Sequence, residues 1–276
     1  MRRSRAASAL ALVRPRNLLI AAAGVAVGGV LALGRVAFPP ALLWAMASAL
    51  GLGGAGNAAN DVFDLEADRI NRPLRPLVTG ELSRQAAMLI AGVAGGFGLF
   101  AAWWVSRTLF TLAVLALVVM LAYSPWLKSR GVRGNLAVAV VASLPLVYGA
   151  VAAGDWRAGL VPSVLAALLH LAREIVKDVE DVAGDLAMGR RTLPIVWGTG
   201  AGYLAATGIL AVFVPLALLP WAARWYGWRY GAVVSVLDVA LAVLAVRLAR
   251  GRLAGARAAL KLAMVVGLAA LLWERL

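Results

Sequence analysis

Two short segments concentrate the acidic side chains of this sequence, and their spacing could support metal chemistry. Nine of the 13 Asp and Glu residues fall in segments 57–68 and 174–185. On a helix of 3.6 residues per turn, the polar side chains of the first segment lie within about 100° of the circumference: Asn57, Asn60, Asp61, Asp64 and Asp68. Four acids of the second segment lie within about 60°: Glu174, Asp178, Asp181 and Asp185. Because aligned like charges repel, each segment needs a compensating charge.

Divalent cations are the compensation that this composition favours. The chain has no Cys and a single histidine, His170, which argues against thiolate or multi-histidine sites. Oxygen ligands favour Mg²⁺, which takes one or two carboxylates per ion and completes its shell with water and substrate phosphate. Two facing acidic stripes would therefore suit two Mg²⁺ ions that bridge a diphosphate. The alternative is that nearby arginines neutralise the acids in purely structural salt bridges.

Basic residues lie beside both acidic segments. Acids alone would bind only cations, whereas acids together with Arg and Lys suit cations plus an anionic ligand. The candidates for phosphate contacts are Arg72, Arg75, Lys128, Lys177, Arg190 and Arg191. Lipid headgroups and membrane topology explain a single arginine equally well, and we prefer that explanation for Arg2, Arg3, Arg5 and the cluster at 247–261.

The elements that position these residues must lie in a membrane. Hydrophobic residues make up 63% of the 276-residue chain and charged residues 14%, against about 25% in soluble domains. The mean hydropathy is +0.86. This composition excludes soluble enzyme folds as well as disordered and collagen-like chains, and the absence of Cys excludes disulfides and iron–sulfur clusters.

The apolar runs predict an all-α polytopic protein with nine transmembrane helices around a central cavity. A span needs about 20 apolar residues, and we treat residues 1–276 as one domain with pseudo-similar acidic motifs at 57–68 and 174–185. Runs that lack the alternation of membrane strands argue against a barrel. The predicted spans are 17–37, 40–63, 85–106, 108–127, 134–154, 157–180, 200–220, 230–249 and 257–274.

The basic residues predict the orientation of these spans. The net charge is +14, and 21 of the 27 Lys and Arg residues fall on the side of the N-terminal tail. The positive-inside rule places the N-terminus, and the ends of both acidic spans, in the cytoplasm. Arg14–Pro15–Arg16 interrupts the first apolar stretch, which favours an uncleaved tail over a signal peptide. Since topology accounts for most of the charge, we expect no nucleic-acid partner.

The motifs resemble those of a known family. Asn60-Asp61-x-x-Asp64-x-x-x-Asp68 and Asp181-x-x-x-Asp185 resemble the UbiA superfamily of intramembrane prenyltransferases, and the likeness extends over nearly the whole chain. Segment 173–185 most resembles the archaeal digeranylgeranylglyceryl phosphate synthase branch. Further short motifs follow one another along the chain in the order typical of the family: Arg75-Pro76-Leu77 with Gly80 and Ser83, Tyr123-Ser124 with Lys128, and Gly189 with Thr192-Leu193-Pro194.

The resemblance implies Mg²⁺-dependent transfer of a geranylgeranyl group from an allylic diphosphate to a membrane-associated acceptor, in that branch geranylgeranylglyceryl phosphate. The implied metal ligands are Asn60, Asp61, Asp64, Asp68, Asp178, Asp181 and Asp185, with Asp61 either a ligand or a brace for Asn60. The implied substrate contacts are Asn57, Arg72, Arg75, Lys128 and Lys177 on the diphosphate, with Arg14, Arg16, Arg190 or Arg191 on the acceptor's phosphate. Tyr123 would shelter an allylic cation.

Other functions stay open at this point. Within the family, an aromatic acceptor such as 4-hydroxybenzoate is an alternative. From other classes, an ion-coupled transporter or a structural membrane protein could carry the same acids. The expected partners are an isoprenoid diphosphate, a lipid-like acceptor and the bilayer, with no obligate protein partner. The sequence assigns no role to Asp238, and His170 is either a proton shuttle or a packed side chain.

Overall fold

Helices form almost all of residues 4–276, which are the residues that the computed structural model describes. Apolar lipid cannot satisfy backbone N–H and C=O groups, so a spanning chain must pair them internally. Arg2 and Arg3, counted above with the cytoplasmic charges, lie outside the described residues. The helices are α1 Arg5–Val13, α2 Pro15–Leu33, α3 Pro40–Phe63, α4 Leu65–Asn71, α5 Arg84–Val105, α6 Arg107–Ala122, α7 Val132–Ala152, α8 Leu160–Glu180, α9 Val182–Ala187, α10 Leu193–Trp197, α11 Thr199–Ala222, α12 Trp228–Ala249 and α13 Ala256–Trp273.

The predicted spans correspond to long helices in this structure. Eight helical segments are long and apolar enough to cross a membrane. The ninth long helix, α3, has 24 residues, enough for a bilayer, but it carries Asn57, Asn60 and Asp61 near its end. The protein is therefore a multi-pass membrane protein.

Two predicted boundaries differ from the observed ones for local reasons. The first span ends at Leu33 and not at 37, because Gly34 adopts a left-handed conformation (φ 67°) and its N–H caps Leu31. The α-helix of the fourth span ends at Ala122, and a π-turn continues from Tyr123 to Leu127. That turn contains Pro125, which has no N–H to continue an α-helical ladder.

The long helices close into a ring. Going around it, each helix packs on the next in the order α2, α3, α5, α6, α7, α8, α11, α12, α13, and α13 packs back on α2. Gly51 and Gly98 bring α3 and α5 together, since a Cβ on Gly51 would lie 2.8 Å from the Gly98 nitrogen. Gly53 and Gly56 on the same helix instead line the space inside the ring.

The two acidic segments have the same local design. A long helix ends at an aspartate, Asp64 after α3 and Asp181 after α8, and a short helix follows. The short helices α4 and α9 then pack against each other. Gly184 permits this approach, because a Cβ there would lie 2.3 Å from the Asn71 side-chain nitrogen. Asn71 ties the two together by donating to the Asp181 carbonyl and accepting from the Gly184 N–H.

Candidate active site

The acids of the first segment are held by arginines. Arg14, between α1 and α2, donates to Asp61, and Arg75 donates both to Asp61 at 2.9 Å and to Asp68. Burial raises the pKa of Asp68 to about 6, although Arg75 acts in the opposite direction. Asn57 on α3 holds the end of α1 in place by donating to the Val13 carbonyl at 2.8 Å.

The second group of contacts joins the two acidic segments. Asp185 accepts from Lys128 at 2.6 Å and from Arg190 at 2.9 Å, and Arg190 also donates to Asp64. Burial favours the neutral form of Asp64, but the charges of Lys128 and Arg190 hold its pKa below the usual range. Ser124 adds a hydrogen bond to Asp64 at 3.2 Å. One interleaved network of acids and bases therefore spans both motifs.

Three buried carboxylate oxygens in this region have no hydrogen-bond partner among residues 4–276. They are Asp178 Oδ1, Asp181 Oδ1 and Asp185 Oδ2. The other oxygen of Asp178 accepts from Asn135 at 2.9 Å. Arg72 lies 2.7 Å from Asp181 Oδ1 but without the alignment of a hydrogen bond. Buried polar atoms are nearly always satisfied in a folded protein, so these oxygens are available to a further partner.

Tyr123 and Lys177 lie against each other and line both cavities of this region. The Lys177 ammonium lies 5.7 Å from the centre of the Tyr123 ring and donates to Glu174 at 2.9 Å. The hydroxyl of Tyr123 is buried and has no partner within the described part of the chain. The ring therefore presents its face to a cation.

A cavity of about 450 Å³ lies inside the ring of helices. One polar part of its wall includes Asn57, Asn60, Arg72, Arg75, Tyr123 and Lys177, and most of the remaining lining is apolar. A small crevice of about 30 Å³ shares several of these residues and is also lined by Asp64, Asp68, Lys128 and Asp181. The polar network thus opens onto an apolar chamber, an arrangement suited to a ligand with an anionic head and a hydrocarbon tail.

The structure does not bring every predicted residue into this space. Arg16 and Arg191 are exposed and line neither cavity. Arg190, expected on an acceptor, instead pairs with Asp64 and Asp185 because its side chain is buried between the two motifs. Asp61, Asp178 and Asp185 also lie behind the cavity walls.

Sequence reasoning gave no individual role to several residues of the site. Asn71, Ser124 and Asn135 make the hydrogen bonds that join neighbouring helices. Asn135 carried a usable signal, since a polar side chain within an apolar span is costly unless it has a partner. Arg257 and Lys261, assigned above to topology, line the cavity because α13 closes the ring beside α2.

The donor set fits Mg²⁺ in company with a phosphate ligand and does not fit a site made by the protein alone. Within residues 4–276, no three His, Cys, Asp or Glu side chains are grouped closely enough to hold a metal. Mg²⁺ needs only one or two carboxylates per ion when phosphate and water supply the remaining oxygens. The unpartnered oxygen of Asp185 and the acids around the crevice are oxygen donors of this kind.

Comparison with known proteins decides the family. Residues 19–272 match the model of the UbiA prenyltransferase family. The chain belongs to the UbiA prenyltransferase family. A digeranylgeranylglyceryl phosphate synthase from Methanothrix thermoacetophila is 34% identical over 268 residues, which are 95% of this chain and 97% of that protein. The activity is therefore that of a prenyltransferase, as the motif resemblance implied.

Solved UbiA structures have the same fold. A UbiA homologue from Aeropyrum pernix superposes with a TM-score of 0.82 at 20% identity, over 95% of this chain and 99% of that one. A homologue from Archaeoglobus fulgidus, solved with GPP and Mg²⁺, superposes with a TM-score of 0.64 at 18% identity, over 96% of this chain and 99% of that one. The predicted all-helical membrane architecture is thereby confirmed.

Proposed function

We propose that this UbiA prenyltransferase transfers a geranylgeranyl group from geranylgeranyl diphosphate to the free hydroxyl of geranylgeranylglyceryl phosphate, with Mg²⁺, in ether-lipid synthesis. The observation that carries the proposal is the acid–base network of both motifs opening onto an apolar cavity. The name of the Methanothrix relative supports the choice of acceptor, and the GPP and Mg²⁺ bound to the Archaeoglobus homologue support the choice of donor and metal.

The network is suited to dividing its charges between a metal and a diphosphate. Without a ligand, the acids and bases neutralise one another. When a diphosphate enters, the bases gain phosphate oxygens as partners and the acids are released to ligate cations. The bases we assign to the diphosphate are Arg72, Arg75, Lys128, Lys177 and Arg190, with Asn57 positioning the entrance.

We assign the metal to the acids around the crevice. Asn60, Asp64, Asp68 and Asp181 line the crevice, and Asp185 lies behind them with one free oxygen. Together they would hold one or two Mg²⁺ ions, whose positive charge would stabilise the leaving diphosphate. Asp61 acts as a brace, since Arg14 and Arg75 both bind it behind the cavity wall. Asp178 is a weaker candidate because Asn135 holds one of its oxygens away from either cavity.

The reaction then needs protection for a developing allylic cation. The C1–O bond breaks and the diphosphate leaves with the electron pair, while the acceptor oxygen forms an ether bond to C1 and loses its proton. We assign the shelter of the cation to the ring of Tyr123, which already faces the Lys177 ammonium at 5.7 Å. The apolar part of the cavity would hold the isoprenoid tails, with Gly53 and Gly56 leaving room in its wall.

We place the site on the cytoplasmic side of the cell membrane. Of the 27 basic residues, 21 belong to the tail and loops on the side of the acidic motifs. Short loops rich in Lys and Arg stay in the cytoplasm during insertion. Cysteine variants probed with an impermeant thiol reagent would test this orientation, because the chain has no cysteine of its own.

The deciding experiment is an acceptor screen on purified protein. Geranylgeranyl diphosphate is supplied with either geranylgeranylglyceryl phosphate or 4-hydroxybenzoate, each with Mg²⁺ or with EDTA. We expect Mg²⁺-dependent prenylation of the glyceryl phosphate. Prenylation of the aromatic acid alone would overturn the acceptor and keep the family chemistry. No product with either, from folded protein, would overturn the proposal and direct attention to ion transport.

A further inference from the structure

A second basic cluster lines the cavity on the wall formed by α2, α8 and α13. It consists of Arg173, Arg257 and Lys261, with the amide of Asn17 among them. This wall lies beside the acid–base network of the two motifs, and Glu180 joins the two, since it lies 2.7 Å from Arg257 and 3.9 Å from Arg72. Nothing in the diphosphate chemistry described above uses these four side chains.

The cluster has more positive charge than its neighbours neutralise. Arg173 pairs with Glu174 at 2.8 Å, and Arg257 pairs with Glu180 at 2.7 Å. Lys261 has no carboxylate partner among residues 4–276, and its Nζ donates to Asn17 Oδ1 at 2.7 Å. Within the described residues, Lys261 is thus the cavity-lining cation of the cluster that no carboxylate neutralises.

The chemistry of this cluster differs from that of the diphosphate site. Both carboxylates near it are already occupied by arginine or lysine. With no acid left to hold a metal, the cluster suits an anion that is bound directly by ammonium, guanidinium and amide donors. A phosphate monoester has a charge between about −1.5 and −2 near neutral pH, which the free ammonium and the two adjacent guanidinium groups would attract.

We propose that Lys261, Arg257 and Asn17 bind the phosphate monoester of the lipid-like acceptor, without metal. This inference rests on the proposed function for the identity of the acceptor. In a glyceryl phosphate, the phosphate and the free hydroxyl lie on adjacent carbons, so anchoring the phosphate fixes the hydroxyl close by. With the diphosphate on the α3 side of the same cavity, the hydroxyl then lies between the two anionic groups. The site would replace Arg14, Arg16, Arg190 and Arg191, which the sequence analysis offered as contacts for the acceptor's phosphate.

The test compares Lys261→Gln with a matched control, Arg250→Gln. Arg250 is an exposed cation that directly follows the C-terminal end of α12, in the connection to the helix that carries Lys261. It lines neither cavity. Hydrogen bonds to charged groups contribute about 1.5–3 kcal/mol, or more than tenfold in affinity. We expect the KM for geranylgeranylglyceryl phosphate to rise at least ~10-fold in Lys261→Gln, with the KM for geranylgeranyl diphosphate unchanged. Arg250→Gln should leave both values unchanged.

A second measurement makes the test independent of turnover. Radiolabelled geranylgeranylglyceryl phosphate is bound to folded protein in EDTA, with the phosphate-free alcohol as competitor. Wild type should prefer the phosphate, and Lys261→Gln should lose that preference. Equal preference in both proteins would overturn the site while leaving the proposed function intact.

Two further outcomes separate the remaining explanations. If wild-type protein neither binds nor prenylates the glyceryl phosphate, the proposed function itself fails, and the inference fails with it.

The other explanation is that the cluster binds headgroups of the bilayer. To test it, the assay is run in vesicles of zwitterionic lipid and in vesicles containing an anionic phosphodiester lipid. An effect of Lys261→Gln that appears only with the anionic lipid would assign the cluster to bilayer headgroups and overturn the inference. An effect of the same size in both vesicles supports an acceptor site.

Discussion

Replacing Asp64 by Asn distinguishes a catalytic role of this side chain from a purely structural one. The side chain of Asp64 accepts from Arg190 and from Ser124, and it lies at the break between α3 and α4. Asparagine keeps the size and the hydrogen-bonding oxygen but removes the charge. If the acid stabilises the leaving diphosphate through a metal, its loss should lower kcat at least ~10²–10³-fold, as for the loss of one preorganised electrostatic group.

The cost in stability should be much smaller than the cost in rate. Removing one partner of a buried ion pair costs about 3–5 kcal/mol when the other charge is left alone. Arg190 is not left alone, because Asp185 still binds it at 2.9 Å. We therefore expect Asp64→Asn to fold in detergent, with a modest loss of about 1–2 kcal/mol, within the usual range for single substitutions.

The assay measures prenyl transfer under saturating donor and acceptor, together with thermal unfolding of the same preparation. Glu66→Gln is the matched control, because Glu66 is an exposed acid two positions away whose ion pairs, among residues 4–276, are with Arg69 and Arg84 at the surface. That variant should retain wild-type turnover. A folded Asp64→Asn protein with turnover within about threefold of wild type would refute the assignment and favour the purely structural salt-bridge interpretation.

Three further perturbations follow from the same contacts. Lys128→Ala should weaken the binding of geranylgeranyl diphosphate ~10–100-fold by removing a charged donor, and an unchanged dissociation constant would exclude this lysine from the site. Tyr123→Phe keeps the ring and should keep kcat within about threefold, whereas Tyr123→Leu should lower it roughly tenfold by removing the ring; equal rates for the two variants would contradict a role for the aromatic face. Gly184→Ala should destabilise the protein by about 1–3 kcal/mol, since its Cβ would lie 2.3 Å from Asn71, and an unchanged unfolding temperature would show that α4 and α9 can separate without cost.

Much of the fold could be read from the sequence because its signals are local. Apolar runs of fixed length predict spans, and the spacing of Asp64, Asp68, Asp181 and Asp185 predicts acidic stripes. The predicted spans 40–63 and 157–180 end where α3 and α8 end. Each acidic stripe, however, was expected on one continuous helix, and the break at Asp64 or Asp181 was not predicted, since neither position has a proline or glycine beside it. Those breaks depend on the packing of α4 on α9, which is a tertiary contact.

Other parts of the site were not predictable for a related reason. Arg190 and Arg191 are neighbours in the sequence and equally basic, yet one is buried between the acids and the other is exposed. Only the direction in which the chain leaves α9 decides between them. Lys261 likewise meets Asn17 across 244 positions of sequence, because the last long helix packs against the first.

The closure of the ring between α13 and α2 has a consequence for biogenesis. All acids and bases of the diphosphate network are synthesised by Arg190, whereas the wall that completes the chamber comes only with Ala256–Trp273. A nascent chain therefore contains every side chain of the charge network before the helix that closes the chamber has been made. A chain that lacks its last helix would keep the donor's anchoring groups and lose Arg257 and Lys261, so insertion of α13 is the step that makes the chamber complete.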